Sequence, residues 1–387
     1  MKSFRFLPAV PATIAAIFLA AAPAGGAEGA PGGKEIRVYA GTYTSAKSEG
    51  IYSFRFDLGT GKAGAPEAVA RTSNPSFLAA AGGGRFLYAV NEDGPGSVSA
   101  FAVDRSSGKL TLLGKQPSNG DAPCHLALDG PGKTLLVANY TKGCLAALPV
   151  DADGKPGKPA SIAYEGSSVH ERQRGPHAHC VAFDAGGRFA LAADLGIDRV
   201  LVYRLERGAL TPNEPAGAPL APGSGPRHIA FRPDGKFLYC INEITCTMTA
   251  FKWDGAAGAL AEVGTVPLLE TRPGPRMSGA EVAVHPSGKF VYGSTRGADI
   301  ITVFAADPEK GTLTAVERRP TGGRTPRSFA VAPGGRWLLA ANQDSGSIAV
   351  FRIDPATGRL EPTGETVKVP APVCVTFVEQ EAPSGGK

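Results

Sequence analysis

Beyond about residue 35 the chain alternates short apolar runs with polar turns carrying Gly, Asp or Pro. One unit reads PRHIAFRPDGKFLYCINE (226–243): a Pro, a short apolar strand, a Gly turn with a basic residue, and a second apolar strand. PSFLAAAGGGRFLYAVNE (75–92) repeats it, and the basic anchors recur as Arg85, Lys133, Arg188, Lys236, Lys289 and Arg336. A third strand-like segment follows: IYSFRFD (51–57), VSAFAVD (98–104), LAALPVD (145–151), VLVYRLE (200–206), MTAFKWD (248–254), ITVFAAD (301–307) and IAVFRID (348–354). Their central residues lie 47, 47, 55, 48, 53 and 47 positions apart. Short alternating strands without a helical period predict four antiparallel strands per unit. Units of this length and strand count predict an all-β, seven-bladed propeller.

Only six anchors serve seven third strands, so one blade must be shared between the chain ends. PVCVTFV (372–378) supplies its first strand, IRVYAGTY (36–43) its second and IYSFRFD its third. Pairing the ends closes the ring and removes an open sheet edge. Length alone allows two or three domains, but the repeat reduces 35–380 to one.

Composition agrees with this picture. The 51 Gly and 33 Pro make 84 of 387 residues, about 22%, below the level that signals disorder, and 43% of the chain is hydrophobic. So many helix breakers exclude long helices. Residues 1–27 read as a secretory signal peptide: Lys2 and Arg5 precede an apolar run from Leu7 to Ala22, with small-residue cleavage options after it. A linker (28–34) follows, and 381–387 read as a frayed tail. We therefore expect an exported protein, periplasmic or secreted, with no membrane association after cleavage, and a monomer. Loss of Lys2 and Arg5 lowers the formal charge from +5 to +3. With no basic run or aromatic-basic module, nucleic acid is excluded as a partner.

Candidate chemistry follows from the blade register. In a propeller the first strand begins, and the second ends, at the same face beside the central channel. Nine residues before each anchor lie Ser76, Cys124, His179, Arg227, Ala280 and Arg327; seven after it lie Glu92, Tyr140, Leu195, Glu243, Arg296 and Gln343. His179, Arg227, Glu243 and Arg296 thus fall at one mouth in three successive blades. Arginines clamp a carboxylate or phosphate bidentately, and a histidine moves protons near neutral pH. Glu243 could act as a base or orient the His or an Arg, whereas Arg227–Glu243, taken alone, reads as a structural salt bridge across one hairpin. His125, His228 and His285 read as strand or turn residues with satisfied hydrogen bonds, although His228, beside Arg227, is kept with His177, Arg327 and Gln343 as a candidate substrate contact. No covalent nucleophile stands out, and no matching acidic cluster turns His177 and His179 into a metal site. The insertion over 161–175, with His170, Arg172 and Arg174, is placed to fold over the mouth. The six cysteines (124, 144, 180, 240, 246, 374) leave disulfides and free thiols equally open, with Cys240–Cys246 the candidate pair across a hairpin.

The motifs GPRHIAFRPDGKFLYCINE (225–243), YAGTYT (39–44), PHAH (176–179), HPSGKFVYGSTRG (285–297) and PRSFAVAPGGRWLLAANQ (326–343) closely resemble the seven-bladed propeller lactonase family. That family includes bacterial 6-phosphogluconolactonase and the fungal carboxymuconate-lactonizing enzyme, and the resemblance covers essentially 35–380. It implies a catalytic His, Arg, Glu and Arg, corresponding by motif to His179 (with His177 the rival), Arg227, Glu243 and Arg296. It also implies no metal or organic cofactor. Three functions follow as expectations: hydrolysis of an anionic lactone or related sugar-acid compound, a lactonizing cycloisomerase, and a non-catalytic ligand-binding or scaffold propeller. The first is favoured. The signal peptide departs from a cytoplasmic lactonase and leaves another sugar-acid or aromatic-acid lactone open as the substrate.

Overall fold

A computed structural model describes residues 35–44 and 47–379. The leader, linker and tail read from the sequence lie outside the described residues. Those described form seven four-stranded antiparallel sheets, and a short 3-10 turn, Gln343–Ser345, is their one helical element.

The first strands of the sheets pack side by side in a closed ring around the central channel. They are Leu78–Ala81, Pro123–Leu128, Ala178–Phe183, Pro226–Phe231, Ser278–Val284, Pro326–Val331 and Pro372–Glu379. The last belongs to the shared blade: Pro372–Glu379 pairs antiparallel with Glu35–Thr42, which pairs with Gly50–Asp57. The closure expected from the missing seventh anchor is therefore present, with Tyr39 opposite Thr376 and Gly41 opposite Cys374.

Second strands are apolar along their length because neighbouring blades cover both faces. Phe189–Asp194, Phe237–Asn242 and Trp337–Asn342 are buried at every position. Outer strands such as Leu110–Pro117 are half exposed. Burying one large apolar side chain contributes roughly 1.5–3 kcal/mol, and Tyr239, Met248, Val291 and Phe304 share one such layer between two blades. Buried tyrosines also tie three of the blades to the next. Tyr39, Tyr88 and Tyr292 donate to the carbonyls of Gly108, Gly154 and Gly358 at 3.0, 2.9 and 3.1 Å, so their hydroxyls are satisfied inside the core.

All six cysteines are buried free thiols. Cys240 stands opposite Thr249, so the ladder points it into one inter-blade layer and leaves Cys246 in another. The candidate Cys240–Cys246 disulfide does not form.

Candidate active site

The mouth of the channel is built by two repeated backbone devices. At the end of several second strands a buried Asn pins the chain: the Asn242 amide donates to Thr247 and Thr249 hydroxyls, each at 2.9 Å. The next residue then turns out at the mouth, its N–H bonded to the residue before the first strand's proline, as in Glu243 to Gly225 O at 2.7 Å. The first strands meanwhile open with a β-bulge. Their pairing slips between Pro123 and His125, Ala178 and Cys180, Pro226 and His228, Gly279 and Val282, and Pro326 and Ser328. A bulge re-aims side chains and breaks strict alternation, so both Arg227 and His228 are spent on the channel.

Glu243 is the hub. Arg227 Nε and an Arg296 terminal nitrogen both reach its Oε2 at 2.9 Å. Arg172 donates to its Oε1 at 2.6 Å and to the Tyr140 hydroxyl at 3.1 Å. Arg227 also donates to Ala280 O at 2.6 Å, and Arg296 to Gly279 O at 3.2 Å. Burial pushes the Glu243 carboxyl up, but Arg296, Arg227 and Arg172 outweigh it and hold the group at about 2. Burial draws Arg296 down to about 10 against the pull of Glu243, and its Nε is buried without a partner.

His179 lies deep beside this hub. Its ring meets Tyr140 edge-on at 5.4 Å and His228 at 5.2 Å, and its Nδ1 is 3.7 Å from Cys124 Sγ. Burial first, then Arg227 and His228, keep it neutral well below the usual histidine range. His177 sits nearer the rim: it stacks on Tyr140 at 4.7 Å, and its Nδ1 is 2.9 Å from Tyr140 O. Its N–H is held by Asp194 at 2.8 Å.

Across the mouth Arg327 lies over the Tyr43 ring at 5.3 Å, and the Tyr43 hydroxyl donates to Glu92 at 2.9 Å. The four guanidiniums of Arg172, Arg227, Arg296 and Arg327 face the carboxylates of Glu243 and Glu92, which leaves the mouth cationic and suited to a small anion. Among the described residues, no three His, Cys, Asp or Glu side chains are arranged to hold a metal ion.

Of the residues expected from the register, Arg227, Glu243 and Arg296 are in direct contact, with His179 beside them. Gln343 is half-buried at the start of the 3-10 turn, and its side chain joins none of the cluster's hydrogen bonds among the described residues. His285 is satisfied by Ser287 and Gly335, each at 2.8 Å. His125 is satisfied as well, its Nδ1 accepting from Val181 N at 3.3 Å with Nε2 3.4 Å from Cys180 Sγ. His228 is not: its Nδ1 meets Glu281 at 2.7 Å, while its Nε2 is buried without a partner. The expectation of a satisfied His228 is corrected by this half-open ring. Sequence reasoning placed Arg172 on a covering loop but not on Glu243, put Tyr140 at the mouth without giving it a role, and missed Tyr43 and Glu281 altogether. The signal for Glu281 was the residue one beyond each chosen first-strand position, which is polar in four blades of the six (His125, His228, Glu281 and Ser328, against Phe77 and Cys180).

The family model described as lactonase, 7-bladed β-propeller, matches residues 37–377. A 6-phosphogluconolactonase of Bacillus subtilis is 38% identical over 344 residues, covering 88% of this chain and 98% of the relative. One of Formosa agariphila is 32% identical over 280 residues, covering 69% of this chain and 78% of the relative. Among solved structures, the periplasmic gluconolactonase of Pseudomonas aeruginosa superposes with TM-score 0.85 at 37% identity, covering 89% of this chain and 99% of that one.

Proposed function

The chain belongs to the seven-bladed β-propeller lactonase family, and from that premise we propose that it hydrolyses an anionic sugar lactone such as 6-phosphogluconolactone at the cationic channel mouth, outside the cytoplasm. The observation that carries this reading is the convergence of Arg227, Arg296 and Arg172 on Glu243 with Arg327 opposite. Glu243, tied to three guanidiniums, is too weak a base to take a proton from water. Its part is to position the arginines. Arg227 and Arg296 hold the substrate's anionic group and the oxyanion that forms when water adds to the lactone carbonyl, and the unpartnered Arg296 Nε is available for one such oxygen. His179, neutral and buried, can donate its one ring N–H as a hydrogen bond to the ring oxygen as the C–O bond breaks. Export rests on the leader read over 1–27 and agrees with the periplasmic relative.

The test is ring opening of freshly made 6-phosphogluconolactone, followed by acid release in weak buffer. Acceleration by the wild type, abolished in Arg227→Ala, supports the reading. Wild-type rates equal to buffer across a panel of phosphorylated and plain sugar lactones would sink it.

A further inference from the structure

Beneath the Glu243 hub lies a second polar group that the hydrolysis scheme above leaves unused. Glu281 lies in the first strand of the neighbouring blade, Ser278–Val284, within the bulge between Gly279 and Val282. Its Oε1 receives the Val282 N–H at 3.1 Å and lies 2.7 Å from His228 Nδ1, and its Oε2 receives the Ser328 hydroxyl at 3.2 Å. These contacts suit an ionised carboxylate. An ionised Glu281 requires a proton on His228 Nδ1, which leaves Nε2 as the lone-pair nitrogen. That Nε2 is fully buried and has no partner. The ring is fixed on its other sides by His125, His179 and Phe77, at centroid distances of 5.1, 5.2 and 5.9 Å. His228 follows Arg227 directly in the bulged strand, and Arg227, Arg327 and Arg296 are the charges that act on its ring.

An imidazole held in one tautomer by a carboxylate, with its far nitrogen unpartnered among the arginines of an anion site, is built to take a proton. Resting on the lactonase reading, we propose that His228 is the general base of the hydrolysis and that Glu281 is its positioning residue. His228 Nε2 takes a proton from water while the water oxygen bonds to the lactone carbonyl carbon. The tetrahedral oxyanion rests on the arginines. When it collapses, the bond from carbonyl carbon to ring oxygen breaks and the departing alkoxide takes its proton from the His228 imidazolium. The product is the open hydroxy acid, which ionises, and His228 returns to neutral. Burial raises the Glu281 carboxyl to about 7 although Arg227 and His125 oppose it, and burial with Arg227, Arg327 and Arg296 holds His228 low. Cys180 and Cys374 beside Glu281, and Glu243 beside His228, are the further titratable groups around the pair.

The test uses the mature protein with 6-phosphogluconolactone as substrate and 6-phosphogluconate as binding probe. We expect His228→Asn to lower kcat about 10²–10⁴-fold and Glu281→Gln about 10²-fold, each with the Kd for 6-phosphogluconate within threefold of wild type. Glu281→Asp should recover part of the loss. Losing the carboxylate charge removes what stabilises an added proton, so the acid limb of kcat/KM should move to lower pH in Glu281→Gln. A Glu281→Gln enzyme with wild-type kcat and an unmoved acid limb overturns the dyad while leaving the lactonase reading intact. A wild type inactive on all lactones overturns both. Should the variants fail to fold, nitrogen-15 NMR of the wild type decides: the proton on Nδ1 of His228 supports the inference, and a proton on Nε2 overturns it.

Discussion

Arg227 and Glu243 face each other across one hairpin, Nε to Oε2 at 2.9 Å, with 2% and 4% of their surfaces exposed. A buried ion pair gains little over a packed apolar pair, but breaking one leaves an uncompensated charge. Glu243→Gln leaves three guanidiniums crowded without their counter-ion. We expect it to cost about 3–5 kcal/mol in urea denaturation and to abolish measurable hydrolysis. Arg227→Lys keeps the charge but cannot serve Glu243, Ala280 O and a substrate oxygen together, and should lower kcat/KM about 10²-fold. Equal activity in Arg227→Lys and wild type would show that a point charge suffices.

Arg172 comes from outside the repeat. It reaches Glu243 and Tyr140 from the segment between the Ala160–Ala163 strand and the next blade, with its side chain 41% exposed. A half-exposed partner contributes little to folding, so Arg172→Ala should change stability by no more than about 1 kcal/mol. It does hold one edge of the mouth. We expect KM to rise about tenfold, or about 1.4 kcal/mol of binding, with kcat nearly unchanged. A fall in kcat with KM unchanged would instead place Arg172 on the reacting atoms.

Why Arg172 was hidden, and Arg227 was not, has a physical cause. Arg227, Glu243 and Arg296 occupy strand ends, and the Gly turn with its basic anchor sets strand ends at constant distance in every blade. The same regularity made the ring and its closure through Pro372–Glu379 legible. An insertion has no such register, so the position of Arg172 depends on tertiary contacts that spacing cannot report. Glu281 was hidden for a different reason. Strict alternation assigns one channel-facing residue to each strand start, whereas the bulge presents two in succession, as with Arg227 and His228.

Three of the buried histidines, His125, His179 and His228, set the response of stability to acid. Burial, joined by neighbouring histidines and arginines, lowers His125, His179 and His228 well below the usual range. Below about pH 6.5 the unfolded chain binds protons that the fold refuses. Their contribution is therefore present above that pH and lost as the pH falls. Glu281, raised to about 7, and Asp194, also raised by burial, run the other way, but they are two groups against three. Urea midpoints should fall from about pH 7 to about pH 5.5. His125→Asn should shrink that fall by up to one proton, about 1.4 kcal/mol per pH unit. An unchanged fall would exclude His125 from the linkage.

Two turn glycines separate backbone strain from inter-blade contact. Gly311 (φ +71°) lies in the hairpin after Ile300–Ala306, and a Cβ there would sit 2.1 Å from the Phe237 ring of the preceding blade. Gly364 has a similar φ of +79°, but nothing lies within 4 Å of its Cβ position. Any L-residue at such a φ is strained by about 1 kcal/mol. Gly364→Ala should cost about that much and no more. Gly311→Ala adds the displacement of a buried ring, about 1–3 kcal/mol further, for a total near 2–4 kcal/mol. Urea denaturation of the two variants measures the difference. Equal losses would mean that the Phe237 ring yields freely and that the blade-to-blade contact at this turn is loose.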